Sequence, residues 1–196
     1  MKHILFTLNA SLLLFSLASF AQKGQTGIYK TESDYLNGKP ALSEANTHVR
    51  LHEIFNTDKL EVIYKDSTFS FHKNELFGYI NADGESFRFF KGNIYSILNP
   101  GEEILLYKTS SGTGLKNSPW VEHYFFSKEA GSEILPLSLP NLEALYAKDI
   151  AFETLLEIAF KSDSELNAYD SLHQKYKLSR LYELSKGFER SIQKKT

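Results

Sequence analysis

Three side chains able to do chemistry alternate along one short stretch: His48, Arg50 and His52 in THVRLHEIF. Alternation puts them on one face of a strand, with Val49, Leu51 and Phe55 on the other. Imidazoles four residues apart on a strand stand roughly 13 Å from one another, too far to chelate one metal ion together. They are spaced instead to flank an anion with the Arg50 guanidinium between them; a solvated strand face is the plainer reading of the same pattern. His52-Glu53 begins like a zincin helix, but Asn56 stands where the second histidine must be, so that motif fails.

The other reactive groups are weaker. Ser111-Gly112-Thr113-Gly114-Leu115-Lys116 could offer amides and an ammonium to an anion, but it lacks P-loop spacing and leads through Pro119-Trp120 into a strand. Glu102-Glu103 follows a turn and alternates across a strand, which suits a solubilising hairpin tip better than an acid/base pair. His123 sits in the strand-like VEHYFFS, and no G-x-S-x-G elbow occurs. The sequence therefore assigns no catalytic residue, metal ligand or cofactor. A hydrolase would need a cleft that sets His48, His52 or His123 beside a carboxylate.

The elements that must position these groups divide the chain in two. After a polar lead-in and GIYK, Thr31 with Asp34 forms a helix start and Asn37-Gly38 a stop, with Tyr35 and Leu36 as apolar contacts. Strand patterns follow in THVRLHEIF, LEVIYK and TFSFHK. They continue through Leu76–Tyr107, which reads as four strands reversed at Asp83-Gly84, Gly92-Asn93 and Pro100-Gly101. With those dipeptides as two-residue loops, Ile80 faces Phe87, Tyr79 faces Arg88 and Phe90 faces Tyr95. Phe77, Tyr79, Phe90 and Tyr95 then share one face, and Tyr79 can lie against Arg88 as a cation–π pair. Leu76, Ile80, Phe87, Phe89 and Ile94 share the other. Both faces are apolar, so something must cover each, or the sheet must curl.

Past VEHYFFS the period lengthens to about 3.6. Ser138 and Pro140 open a helix over 141–147, and Asp149 caps AFETLLEIAF. Ser162 with Glu165 makes a capping box for ELNAYDSLHQKY, and LSRLYELSKGF forms a last helix with Phe188 inward. Strands first and helices afterwards describe an α+β fold. The expected form is an antiparallel β-meander of about seven strands, a curved sheet or partial barrel, with C-terminal helices packed on one face.

Residues 1–21 read as a cleavable signal peptide: basic Met1-Lys2-His3, an apolar Ile4-to-Phe20 core, and Ser19-Phe20-Ala21 before Gln22. Residues 22–196 then form one domain, with no further apolar span. A chain with no Cys cannot be a lipoprotein at residue 22 and needs no disulfides. Its 24 acidic and 22 basic residues include no basic run, which argues against nucleic acid as a partner.

The opening Gly27-to-Pro40 motif (G-x-Y-K-T-x-x-D-Y-L-N-G-K-P), with ELFGYINADGESFRFFKG and ILPLSLPNLEALY, resembles a group of small, uncharacterised exported proteins of Gram-negative bacteria. The resemblance implies a cell-envelope address, periplasmic or secreted, and a single domain; it carries over no catalytic residue. The functional expectation is a non-enzymatic envelope module that binds a protein, glycan or lipid. Its candidate contact residues are His48, Arg50, His52 and the rings Phe77, Tyr79, Phe90 and Tyr95.

Overall fold

The structure is a computed structural model, described here for residues 25–44, 46–51, 58–111 and 120–193, with side chains to 188. The leader expected at 1–21, His52 and the Gly-rich loop at 112–119 lie outside the described residues.

A seven-stranded antiparallel sheet forms the body. It runs in the order β1 (Gly27–Tyr29), β5 (Gly78–Ile80), β6 (Ser86–Phe90), β7 (Asn93–Ile97), β8 (Leu105–Ser111), β9 (Val121–Ser127) and β10 (Leu135–Pro136), and it is not closed. A three-stranded sheet of β2 (His48–Leu51), β3 (Lys59–Tyr64) and β4 (Ser67–His72) is inserted between β1 and β5. The α+β architecture and the meander agree with the sequence pattern. The strands from 48 to 72 do not extend the meander, because they pair only with each other.

The hairpin registers differ from the expectation by small slips. The β5–β6 loop holds three residues, Ala82–Gly84, because the Asn81 side chain accepts from the amides of Asp83 (3.0 Å) and Glu85 (2.8 Å). Gly84 takes the left-handed conformation that closes such a loop, at φ +82°. Tyr79 therefore faces Phe87, and Ile80 faces Ser86. In the next hairpin Lys91 and Gly92 form the loop, both at positive φ, and Arg88 faces Tyr95.

The one-residue slip of the first hairpin turns side chains over, whereas the second pairing moves by two residues and keeps its faces. The Arg88 face gathers Tyr29, Ile80, Tyr95, Ile97, Leu105 and Tyr107, with Phe77, Phe90 and Phe125 beside them. The opposite face carries Tyr79, Phe87, Phe89 and Ile94 at one end and Leu98, Leu106 and Phe126 at the other. Tyr79 is thus on the far side from Arg88 and stacks on Phe87 at 4.6 Å. The guanidinium lies instead over Phe77, Phe90 and Tyr107.

Two covers share the opposite face. The small sheet packs Leu60, Val62 and Phe71 onto the β5–β6 end. Helices α2 (Leu139–Tyr146), α3 (Ile150–Ala159) and α4 (Lys177–Gln193) pack Leu142, Phe152, Leu156, Leu178 and Tyr182 onto the β8–β9 end. Ser138 and Asp149 cap α2 and α3 as their side chains allow, accepting from Asn141 and Phe152 amides. The Arg88 face is closed by Tyr35 of α1 (Glu32–Leu36) and by Ala130 and Ile134 of the β9–β10 loop.

The helix expected over ELNAYDSLHQKY is instead a 3-10 turn at Asp163–Glu165 followed by a hairpin, β11 (Tyr169–Asp170) and β12 (Lys175–Tyr176). The capping box does not form. Ser162 Oγ bonds Ser164 Oγ, and Glu165 accepts from the Lys161 amide. Asp170 then accepts from the Leu172 and His173 amides, closing a turn that competes with helix. Phe188, expected inward, is exposed. Among the described residues no helix is long and apolar enough to cross a membrane.

Candidate functional site

The structure disperses the residues singled out by the sequence. His48 and Arg50 stand exposed on β2, where Arg50 lies across from Glu61 and His48 from Ile63; His52, the third member of that group, lies outside the described residues. Tyr79 and Tyr95 are buried at 6% and 8% exposure, Phe77 and Phe90 half-buried, and Tyr79 lies on the opposite face from the other three. The four rings make no common surface.

Residues that the sequence placed in a short helical start, a hairpin tip, an unassigned turn and the last helix come together at one end of the Arg88 face. They line a cleft of about 420 Å³ between α1, the β7–β8 turn, the β9–β10 loop and α4. Three local devices build it. The Thr31–Asp34 capping box, with reciprocal bonds of 2.9 and 3.1 Å, starts α1 and sets Glu32 and Tyr35 three residues apart on its cleft side. Asn99 fixes the second wall. Its buried amide donates to Ile104 O (2.7 Å) and Ser179 Oγ (2.9 Å) and accepts from Leu106 N (2.7 Å), pinning the Gly101-Glu102-Glu103 turn to α4. In the third, Ser127 Oγ donates to Glu129 O (2.8 Å) and Ser132 Oγ accepts from Glu129 N (2.9 Å), holding Lys128, Glu129 and Ala130 at the rim. Gly131 matters here: a Cβ would fall 2.1 Å from Glu32 Oε2, so only glycine lets the α1 carboxylate lie against this loop.

The floor holds an unusual group. Tyr35 is 2% exposed, its ring edge-on to Tyr29 at 5.5 Å and stacked on Phe77 at 5.1 Å, yet its hydroxyl has no hydrogen-bond partner. Burial raises its pKa well above the usual phenol value. The Gly101 backbone across the cleft lies near enough to pull the other way, without reaching hydrogen-bond geometry. Behind Tyr182, Tyr146 has a second buried hydroxyl without a partner; its pKa is raised by burial first and then by Tyr182, Asp149, Glu103 and Glu129. Burial also raises the Glu102 carboxyl, against the pull of Lys175 at 3.5 Å.

A buried, unbonded hydroxyl is a cost that folds rarely keep. Tyr35→Phe is therefore expected to hold the melting temperature level or raise it by about 2–4 °C, since burying the idle group costs roughly 1 kcal/mol. A fall of more than about 4 °C in a thermal melt would show that the fold itself uses the hydroxyl.

Enzymatic chemistry finds less support. Ser111 Oγ and His123 Nε2 lie 3.0 Å apart, but both residues are exposed, and among the described residues His123 has no carboxylate to orient it. His173 pairs with Asp170 at 2.8 Å, and Arg180 takes the same carboxylate, so that cluster ties the β11–β12 hairpin to α4. No three His, Cys, Asp or Glu side chains among the described residues converge to hold a metal ion.

The sequence signals for the cleft were present but separate: a capping box, a Pro-Gly-Glu-Glu turn and a Ser-Lys-Glu-Ala-Gly turn. Nothing in their spacing says that they meet. Comparison with known proteins finds no matching family model, no matching curated protein and no matching solved structure.

Proposed function

We propose that the chain is an exported, non-enzymatic binding protein that takes its ligand in the cleft between α1, the β7–β8 turn and the β9–β10 loop. The observation that carries this reading is Tyr35 on the cleft lining, its hydroxyl buried and unbonded and its ring held by two others. A ligand group supplies the missing bond at little cost, because the ring is already immobilised. The volume of about 420 Å³ lies within the range of small-molecule sites. Leu36, Leu105 and Ala130 give apolar walls, while Glu32, Glu103 and Glu129 give polar points of orientation. The leader-like first 21 residues support an address outside the cytoplasm. The candidate partners are accordingly envelope components with a part small enough to enter.

Amide-shift mapping of isotope-labelled protein against a fragment set of amines, carboxylates, sugars and alkanols tests the reading. Hits are expected to move the Tyr35, Gly101, Glu103 and Ala130 amides together. Hits that cluster elsewhere, or a set with none, would sink it. Ester turnover abolished by His123→Ala would restore a hydrolase in its place.

A further inference from the structure

We infer that the cleft selects an alkylammonium group, carried by a free polyamine or by a lysine side chain. The inference rests on the binding reading above and names the chemistry of the ligand.

Charge around the cleft is unbalanced. Glu32, Glu102, Glu103 and Glu129 line it against the single ammonium of Lys128. Glu102 is engaged by Lys175, which also pairs with Glu183. Among the described residues the other three carboxylates belong to no ion pair. The Lys128 ammonium lies over the Tyr146 ring, 5.5 Å from its centroid, and is bonded to none of them.

Carboxylates on a surface are ordinarily a solvated face, and their number alone would mean nothing. The Tyr35 hydroxyl changes that. Tyr35 lines the same cleft and is 2% exposed as a residue, with its hydroxyl fully buried and unpartnered. Its oxygen can accept a hydrogen bond, as can every carboxylate on the rim. Three unpaired carboxylates beside a phenol that can accept as well as donate suit a ligand built of donors, and an ammonium presents three donors and no acceptor. A divalent metal ion satisfies the charge but not the geometry, because no three of these groups converge on one point. A neutral sugar meets the acceptors and leaves the charge uncompensated. An alkyl chain ending in an ammonium answers both without needing three ligands at one point: its head pairs with one of Glu32, Glu103 and Glu129, and its methylenes lie along Leu36, Leu105 and Ala130.

The test titrates labelled protein with four probes at low and high salt: spermidine, a capped lysine-containing peptide, 1,6-hexanediol and adipate. The Gly101, Glu103 and Ala130 amides report binding. Spermidine or the peptide is expected to bind at least ten-fold more tightly than the diol, with affinity that falls as salt rises. Glu103→Gln and Glu129→Gln are each expected to weaken binding about ten-fold, as the loss of a charge-assisted contact does. Tyr35→Phe is expected to weaken it several-fold without loss of stability. Glu157→Gln, on the exposed side of α3, controls for general attraction and is expected to change nothing. Whichever amine binds more tightly identifies the source. The inference falls if the diol or adipate binds as well as the amines, or if Glu157→Gln weakens binding as much as the cleft variants. In that event the cleft still stands as a ligand site wherever those amides move. If no probe and no fragment of any charge moves them, the binding reading falls with it.

Discussion

Gly78→Ala is expected to lower stability by about 3 kcal/mol or more, a melting-point drop of roughly 10 °C, and to cut the soluble yield. The added methyl is small, but its position is intolerable. A Cβ at Gly78 would fall 1.9 Å from the carbonyl oxygen of Phe87, 3.0 Å from its carbon and 3.2 Å from Arg88 Cα. All three are backbone atoms, so no side-chain rotation relieves the clash, and β5 must move away from β6. The cause lies in the strand. Leu76 and Tyr79 pack on one face while Phe77 packs on the other, so the pleat is broken between them, as a bulge at Phe77–Gly78 requires. Displacing β5 also unseats β1, whose partner in the sheet it is, and β1 leads directly into α1 and the cleft. Gly92→Ala makes the useful comparison. No atom lies within 4 Å of its Cβ, and its cost comes only from φ +78°, on the order of 1 kcal/mol. A Gly78→Ala protein melting within a couple of degrees of the parent, or no lower than Gly92→Ala, would refute this account of the sheet.

The bulge also shows which parts of the fold were legible. Alternation and turn dipeptides locate the strands of the meander, because period and punctuation are local properties of the sequence. Loop length is a finer matter. Asn81 accepts from two amides ahead of it and lengthens the Asp83-Gly84 turn by one residue, which exchanges Tyr79 and Ile80 across the sheet. Lys91 takes a positive φ that its side chain disfavours, so the second loop begins a residue before the dipeptide that marks it. In ELNAYDSLHQKY the helical spacing of Leu166, Tyr169, Leu172 and Tyr176 is real, yet Asp170 offers the backbone a turn instead. Only Leu166 of the four becomes fully buried. Periodicity states what a segment could bury, and local hydrogen bonding decides whether it does.

The cleft was less legible for a different reason. Its walls come from α1 and from turns near residues 102 and 129, each unremarkable alone. Glu102-Glu103 reads as a solubilising tip until the fold half-buries Glu102 and sets Lys175 beside it. Tyr35 reads as an apolar anchor, and its ring is one; that its hydroxyl ends without a partner is a fact of three-dimensional placement. Unsatisfied groups have no sequence signature.

Arg88→Ala is expected to cost about 3–5 kcal/mol, whereas Arg88→Met should recover at least half of that. The guanidinium is 3% exposed and belongs to no ion pair among the described residues. It donates from Nη1 to Tyr107 Oη at 3.0 Å and from Nη2 to Ser132 O at 2.7 Å, within a box of rings at 5.2 to 5.9 Å. Two effects oppose each other. Burying a cation without a counter-ion carries a desolvation cost, which the rings and the two oxygens offset only in part. The side chain also fills the space between Phe77, Phe90 and Tyr107, and alanine would leave that space empty. Methionine restores the volume and removes the charge, so the Ala–Met difference measures packing and the Met–Arg difference measures the two hydrogen bonds less desolvation. The bond to Ser132 has a further consequence, because it ties the middle of the sheet to the loop that carries Glu129 and Ala130. Hydrogen exchange at the Glu129–Ser132 amides is expected to quicken in Arg88→Met even where global stability recovers. Equal melting temperatures for the two variants would show that volume is not what Arg88 supplies. Unchanged exchange in the loop would show that the cleft wall holds its place without the sheet's support.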